Sequence, residues 1–109
     1  MRVLIVSDHP IICISLMALF AQFQNIQVIG HAGRNDGVTG QVEALEPDVT
    51  LLDCYLIHIP GYVLSADIIE QGSATHVMAL APAVDPVHMK RMLAAGVTGY
   101  VIKQILLKM

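Results

Sequence analysis

Val49-Thr50-Leu51-Leu52-Asp53 is a short apolar run that stops at a carboxylate, and Pro47-Asp48 punctuates its start. A continuous run of this length, rich in aliphatic and β-branched residues, reads as a strand buried on both faces, which is the pattern of a parallel sheet. Working outward, Val3-Leu4-Ile5-Val6 runs in the same way into Ser7-Asp8, and Tyr100-Val101-Ile102 runs into Lys103. The carboxyl ends of parallel strands lie along one edge, so two acids and an ammonium that are remote in sequence are expected to meet there. The three runs together predict a charged pocket at the edge of a buried sheet.

Between these runs the chain alternates regularly. Arg2 to Ser7 is the first strand, Pro10 suits the first turn of a helix, and that helix is expected from Ile11 to Gln24. Ile26 to His31 follows as a second strand. Asn35 is a capping residue for a weak second helix toward Glu46, which Gly37, Thr39 and Gly40 disfavour and Pro47 ends. After the third strand, Val49 to Asp53, a loop through Pro60-Gly61 precedes a helix from Tyr62 to Gln71, and His76 to Leu80 is the fourth strand. Asp85-Pro86 caps and opens a helix through Ala95 that Gly96 terminates. Thr98 to Ile102 is the fifth strand, and Gln104 to Met109 supplies little more than one turn of a truncated final helix. Five strands alternating with helices specify an α/β, doubly wound parallel sheet with right-handed crossovers. Charge at the ends of the first, third and fifth strands selects the flavodoxin-like order 2-1-3-4-5, which makes Asp8 and Asp53 neighbours.

Composition narrows the function. At 109 residues the chain is read as one domain, 1–109, able to bury a core unaided. It is 55% apolar and 14% charged, with no apolar stretch of the roughly 18 residues that a membrane span needs and no basic leader at Met1-Arg2-Val3. A cytoplasmic protein that binds no membrane is expected. Six Lys and Arg, scattered in a chain of net charge -3, argue against nucleic-acid binding by this domain itself. Cys13 and Cys54 fit no paired metal or redox spacing and read as reduced, small apolar residues. The five histidines match no zinc pattern; only His58, close after Asp53, invites a transition metal at the same pocket.

Three stretches carry a family resemblance: Ser7-Asp8-His9-Pro10 after the first strand, Pro47 to Asp53 through the third, and Ala95-Gly96-Val97-Thr98-Gly99-Tyr100-Val101-Ile102-Lys103 across the fifth. With these in order, the chain resembles the CheY-like receiver domain of two-component response regulators, most closely the branch that carries a LuxR-type helix-turn-helix output domain. The resemblance implies that Asp53 accepts a phosphoryl group from a histidine kinase. It places Asp8, Asp53 and the Tyr55 carbonyl around a magnesium ion, and Lys103 against the phosphoryl oxygens. Phosphoryl transfer is mostly positioning and electrostatic stabilisation, which is what such an oxygen-lined site supplies.

The sequence departs from the family where that chemistry is most demanding. The family has an acidic pair where Ser7-Asp8 stands. A unit charge about 5 Å from a divalent ion is worth on the order of 2 kcal/mol even at a water-like dielectric, so magnesium binding is expected to be weak. At the end of the fourth strand the family has a hydroxyl residue that holds the phosphoryl group; here it is Ala81. A hydrogen bond to a charged group contributes roughly 1.5 to 3 kcal/mol. The next residue, Pro82, has no backbone N–H to offer. Tyr100 stands where the family's switch aromatic does, and position 81 offers it no hydroxyl. The expectation is a degenerate receiver that signals mainly through protein contacts, with phosphorylation weak or absent and no enzymatic activity of its own. The alternatives are a conventional phospho-accepting receiver and a flavodoxin-like cofactor binder. Against the last, Ser7-Asp8-His9-Pro10 lacks the glycines of a phosphate loop.

From His9 to Gly33 there is no formally charged residue, and apolar residues wrap the first helix beyond one stripe. An exposed patch that includes Ile12, Cys13, Leu16 and Phe20 is expected to make a homo-oligomer, a dimer or larger. Because the chain stops at Leu106-Leu107-Lys108-Met109, the final helix is expected to be incomplete. DNA contacts would then come only through an output domain absent from these 109 residues.

Overall fold

Alternation along each strand decides which side chains meet which helices. The structure, a computed structural model, describes residues 1–33, 37–53, 60–83 and 85–102. Its elements are β1 (Arg2–Val6), α1 (Pro10–Phe20), β2 (Gln27–Ala32), α2 (Val38–Leu45), β3 (Val49–Asp53), α3 (Gly61–Glu70), β4 (His76–Ala81), α4 (Pro86–Ala94) and β5 (Gly99–Ile102). All strand pairs are parallel and the order is β2-β1-β3-β4-β5, as the strand-end charges predict. The final turn expected over 104–109 and the Asn35 cap lie outside the described residues.

The sheet has two buried faces. Leu4, Val6, Leu52, Val77, Ala79 and Ala81 join Val42, Leu64, Ile68 and Met92 on one. Val3, Ile5, Leu51 and Leu80 join Cys13 and Leu16 of α1 on the other. Successive residues of β1 thus point to opposite layers, and both layers are buried, which fits the absence of polar residues in the run 3–6.

Helix ends follow local chemistry. Asp85 accepts at Oδ1 from the backbone N–H groups of Val87 and His88, each at 3.2 Å, so it caps the start of α4 as the sequence predicts. Its far end turns at Gly96, whose φ is 97°. The left-handed backbone favours glycine there, and a Cβ would lie 2.6 Å from Ile69 Cδ1, so the end of that side chain would have to shift. Two expectations need correction. Helix α1 ends at Phe20, not Gln24, because 21–25 pass through turns. Helix α2 is capped by Gly37 in the left-handed region, and its last turn closes through Glu46, also left-handed at φ 48°.

The expected patch on α1 also changes. Cys13 and Leu16 are buried at 4% and 1% exposure, and Ile12 and Phe20 pack partly against the same cluster. The outward residues are Ile11 and Ile14, 77% and 66% exposed, with Met17 beside them. Apolar residues surround the helix, so composition alone does not set its rotation; packing of the 13, 16, 20 stripe on Val3, Ile5 and Leu51 does. Among the described residues no helix is long and apolar enough to cross a membrane.

Candidate functional site

Register brings the first and third strand ends together. Val6 lies opposite Leu52, so the chain leaves β1 at Ser7 beside the last residue of β3, Asp53. Both are buried, Ser7 at 4% and Asp53 at 0% exposure. The Ser7 hydroxyl donates to Asp53 Oδ2 at 2.9 Å, a charge-assisted bond in a setting where a buried carboxylate requires partners. Its oxygen in turn accepts from the His9 backbone N–H at 3.1 Å. The Ser7 backbone N–H continues the ladder to β2 by donating to the Ala32 carbonyl at 2.9 Å.

Cys13 closes the corner from α1. Its thiol donates to the Ser7 carbonyl at 3.8 Å. The Cys13 thiol is pushed above its ordinary value of 9.0, first by burial and then by the negative charge of Asp53, with Asp8 adding to it and a backbone hydrogen bond opposing. Ser7, Cys13 and Asp53, joined by these bonds, form one corner at the carboxyl edge of the sheet, and Asp8 is the next residue of the chain after Ser7. A thiol so placed is a poor nucleophile, because the thiolate is the reactive form.

The neighbouring strand ends differently. Asp53 pairs with Leu80, and Ala81 with Ile102, so Ala81 lies one step past Asp53 on β4. It is fully buried, carries no side-chain donor, and is followed by Pro82, which has no N–H. Tyr100, opposite Ala79 on β5, packs half-buried against the cluster that contains Ala81. Lys103, Tyr55, Cys54 and His58 lie outside the described residues.

The donor chemistry fits a hard cation better than a soft one. Among the described residues no group of three or more His, Cys, Asp and Glu is arranged to hold a metal. The two carboxylates of the corner, Asp8 and Asp53, suit magnesium, which takes one or two carboxylates and keeps several waters. The sequence pointed to the Asp53 end of β3 but not to the Ser7 bond to Asp53 or to the place of Cys13 behind it. A hydroxyl residue at a strand end next to a buried acid is the signal that could have found the first. For Cys13 only the rotation of α1 could.

Comparison with known proteins identifies the family. The model of the response regulator receiver domain matches residues 3–108, and the chain belongs to that family. It is similar to response regulator GacA of Pseudomonas viridiflava, 28% identical over 102 residues that cover 94% of this chain and 48% of the relative. It is also similar to the DNA-binding transcriptional activator DevR/DosR of Mycobacterium tuberculosis, 29% identical over 104 residues, covering 95% and 48%. The chain thus spans about half the length of the curated relatives it matches. Among solved structures, a LuxR-family two-component response regulator from Aurantimonas sp. SI85-9A1 superposes with a TM-score of 0.87 at 22% identity, covering 94% of this chain and 73% of that one. The isolated receiver domain of RcsB from Salmonella enterica serovar Typhimurium, in the presence of phosphomimetic BeF3-, gives 0.84 at 21%, covering 95% and 78%. These two likenesses establish the CheY-like fold.

Proposed function

We propose that this receiver domain is atypical: Asp53 is its phosphoacceptor residue, phosphorylation there is weak or absent, and signalling runs mainly through protein contacts. The observation that carries this reading is the Ser7 hydroxyl on Asp53 Oδ2 at 2.9 Å, at a position where the family has an acid. Ala81 and Pro82 support it from the other side, since neither supplies a donor to a phosphoryl oxygen beyond β4. Asp8 and Asp53 would hold magnesium weakly, with the Tyr55 carbonyl as a further ligand and Lys103 facing the phosphoryl oxygens. When bound, the ion offsets charge during transfer.

The partners follow from the family reading. A histidine kinase is the phosphoryl source, and a second copy of the chain meets the apolar face of α1, now defined by Ile11, Ile14 and Met17. DNA is reached only through an output domain outside these residues, and the setting is cytoplasmic. Incubation with acetyl phosphate and magnesium, followed by intact mass measurement, tests the central point. The expected result is little or no added phosphoryl mass, and a stable, stoichiometric adduct on Asp53 overturns the reading. Light scattering at high concentration tests the oligomer, which a monodisperse monomer contradicts.

A conventional phospho-accepting receiver is the second reading, favoured by one observation: the register of β1 and β3 sets the Ser7-Asp8 exit of β1 beside the Asp53 end of β3. A stoichiometric adduct would select it.

A further inference from the structure

A hydroxyl has one proton, and the contacts of Ser7 determine where it points. Its oxygen accepts the His9 N–H at 3.1 Å, so the proton is turned to Asp53 Oδ2 at 2.9 Å. The His9 peptide is also the start of α1: His9 is the N-cap residue, and its carbonyl accepts from the backbone N–H groups of Ile12 and Cys13 at 3.0 and 3.2 Å. Cys13 returns to the same point through its thiol on the Ser7 carbonyl. Asp53, Ser7, His9 and the first turn of α1 are thereby joined by consecutive hydrogen bonds, of which the Ser7–Asp53 bond is buried. Ile11 and Ile14, the most exposed apolar residues of α1, flank Cys13 in that turn.

We propose that α1 is the element that reports the state of Asp53, through the Ser7 hydroxyl and the His9 peptide. An event that makes Oδ2 a weaker acceptor frees the Ser7 proton to rotate, and the His9 N–H then loses a well-directed partner. The helix start loosens or shifts, and with it the orientation of Ile11 and Ile14. Ser7 is a positioning residue in this scheme. Beyond β4, Ala81 and Pro82 contribute neither a side-chain hydroxyl nor a backbone N–H for an equivalent route. The inference rests on the receiver reading of Asp53 but needs no phosphorylation to be tested.

Amide hydrogen exchange on the whole 15N-labelled chain provides the test. Asp53→Asn keeps the shape of the side chain and removes its charge. It is expected to speed exchange at His9, Ile12 and Cys13 by about tenfold, the size of one weakened charge-assisted hydrogen bond, with Leu80, Ala81 and Tyr100 changed less than about twofold. Ser7→Ala is expected to speed the same three amides, and adding Asp53→Asn to Ser7→Ala to change them no further. Ser7→Thr, which retains the hydroxyl, is expected to keep the wild-type pattern and its response to Asp53→Asn. Unchanged amides at His9, Ile12 and Cys13 in the folded Asp53→Asn variant overturn the proposal, as does an equal response in the Ser7→Ala background. Should Asp53→Asn not fold, Asp53→Ala with the same amides serves as the second variant. A stoichiometric acetyl phosphate adduct would overturn the atypical reading and leave this result standing, so the two failures are distinguishable.

Discussion

The two strands that flank Asp53 end in opposite chemistry. On the β1 side the chain leaves the sheet through Ser7, whose hydroxyl bonds Asp53 and accepts from His9, with Cys13 packed behind. On the β4 side it leaves through Ala81, buried and apolar, and Pro82. The Ser7 hydroxyl thus bonds the carboxylate from one side, while the Ala81 and Pro82 side chains of the neighbouring strand end carry no donor. A site built to grip a transferred phosphoryl group needs donors that point outward to where the group arrives. Here the named donor points inward, to the carboxylate itself. The two strand ends differ in side-chain chemistry while the sheet that carries them stays regular.

Restoring donors to the β4 side should do most to erase the contrast. Ala81→Ser with Pro82→Ala adds a hydroxyl and a backbone N–H beyond Asp53, and labelling by acetyl phosphate with magnesium, read by intact mass, is expected to rise by about ten- to a hundredfold. No rise would mean that the β1 side alone limits the chemistry. Removing the β1 donor is the next largest change. Ser7→Ala deletes a hydrogen bond to a buried carboxylate and is expected to lower unfolding free energy in urea by about 1.5 to 3 kcal/mol, with Ser7→Thr recovering most of it. A neutral Ser7→Ala would place the hold on Asp53 elsewhere.

Smaller effects sharpen the comparison at its margins. Asp85→Ala removes the cap of α4 and should cost about 1 kcal/mol in the same urea assay, while leaving exchange at His9, Ile12 and Cys13 as it is. A change at those amides would join the two sides after all. The smallest effect is in pH. Because burial and the charge of Asp53 raise the Cys13 thiol above 9.0, the folded chain holds that proton where the unfolded chain has released it. Stability from this group is fully present below pH 9 and declines as pH rises past it toward the folded value. Urea unfolding at neutral and alkaline pH should show this loss in the wild type and a smaller one in Cys13→Ala.

Much of the architecture was legible before any coordinates. Val3 to Val6 and Val49 to Leu52 have no polar residue on either face except Thr50, so both must be buried from two sides, and the strand order follows. Asp85-Pro86 and Gly96 marked α4 because cap and turn chemistry is local. That the carboxyl ends of β1 and β3 meet at one edge was readable too, since adjacent parallel strands share that edge. What was read wrongly lay on α1. Its length was overestimated because Ala21 to Gln24 carries no breaker, and its outward face was placed on Cys13 and Leu16 because apolar residues encircle it.

The sequence by itself determined a parallel α/β sheet with acids at the ends of its first and third strands, because strand burial and helix capping depend on residues close together in the chain. Only the tertiary structure decided that Ser7 turns its proton to Asp53, that Cys13 sits behind them, and that Ile11 and Ile14 face outward. Those outcomes depend on strand register and on the rotation of one helix about its axis. Both are set by packing between residues tens of positions apart, where a step of one residue in a strand or a quarter turn of an evenly apolar helix exchanges what is buried for what is exposed.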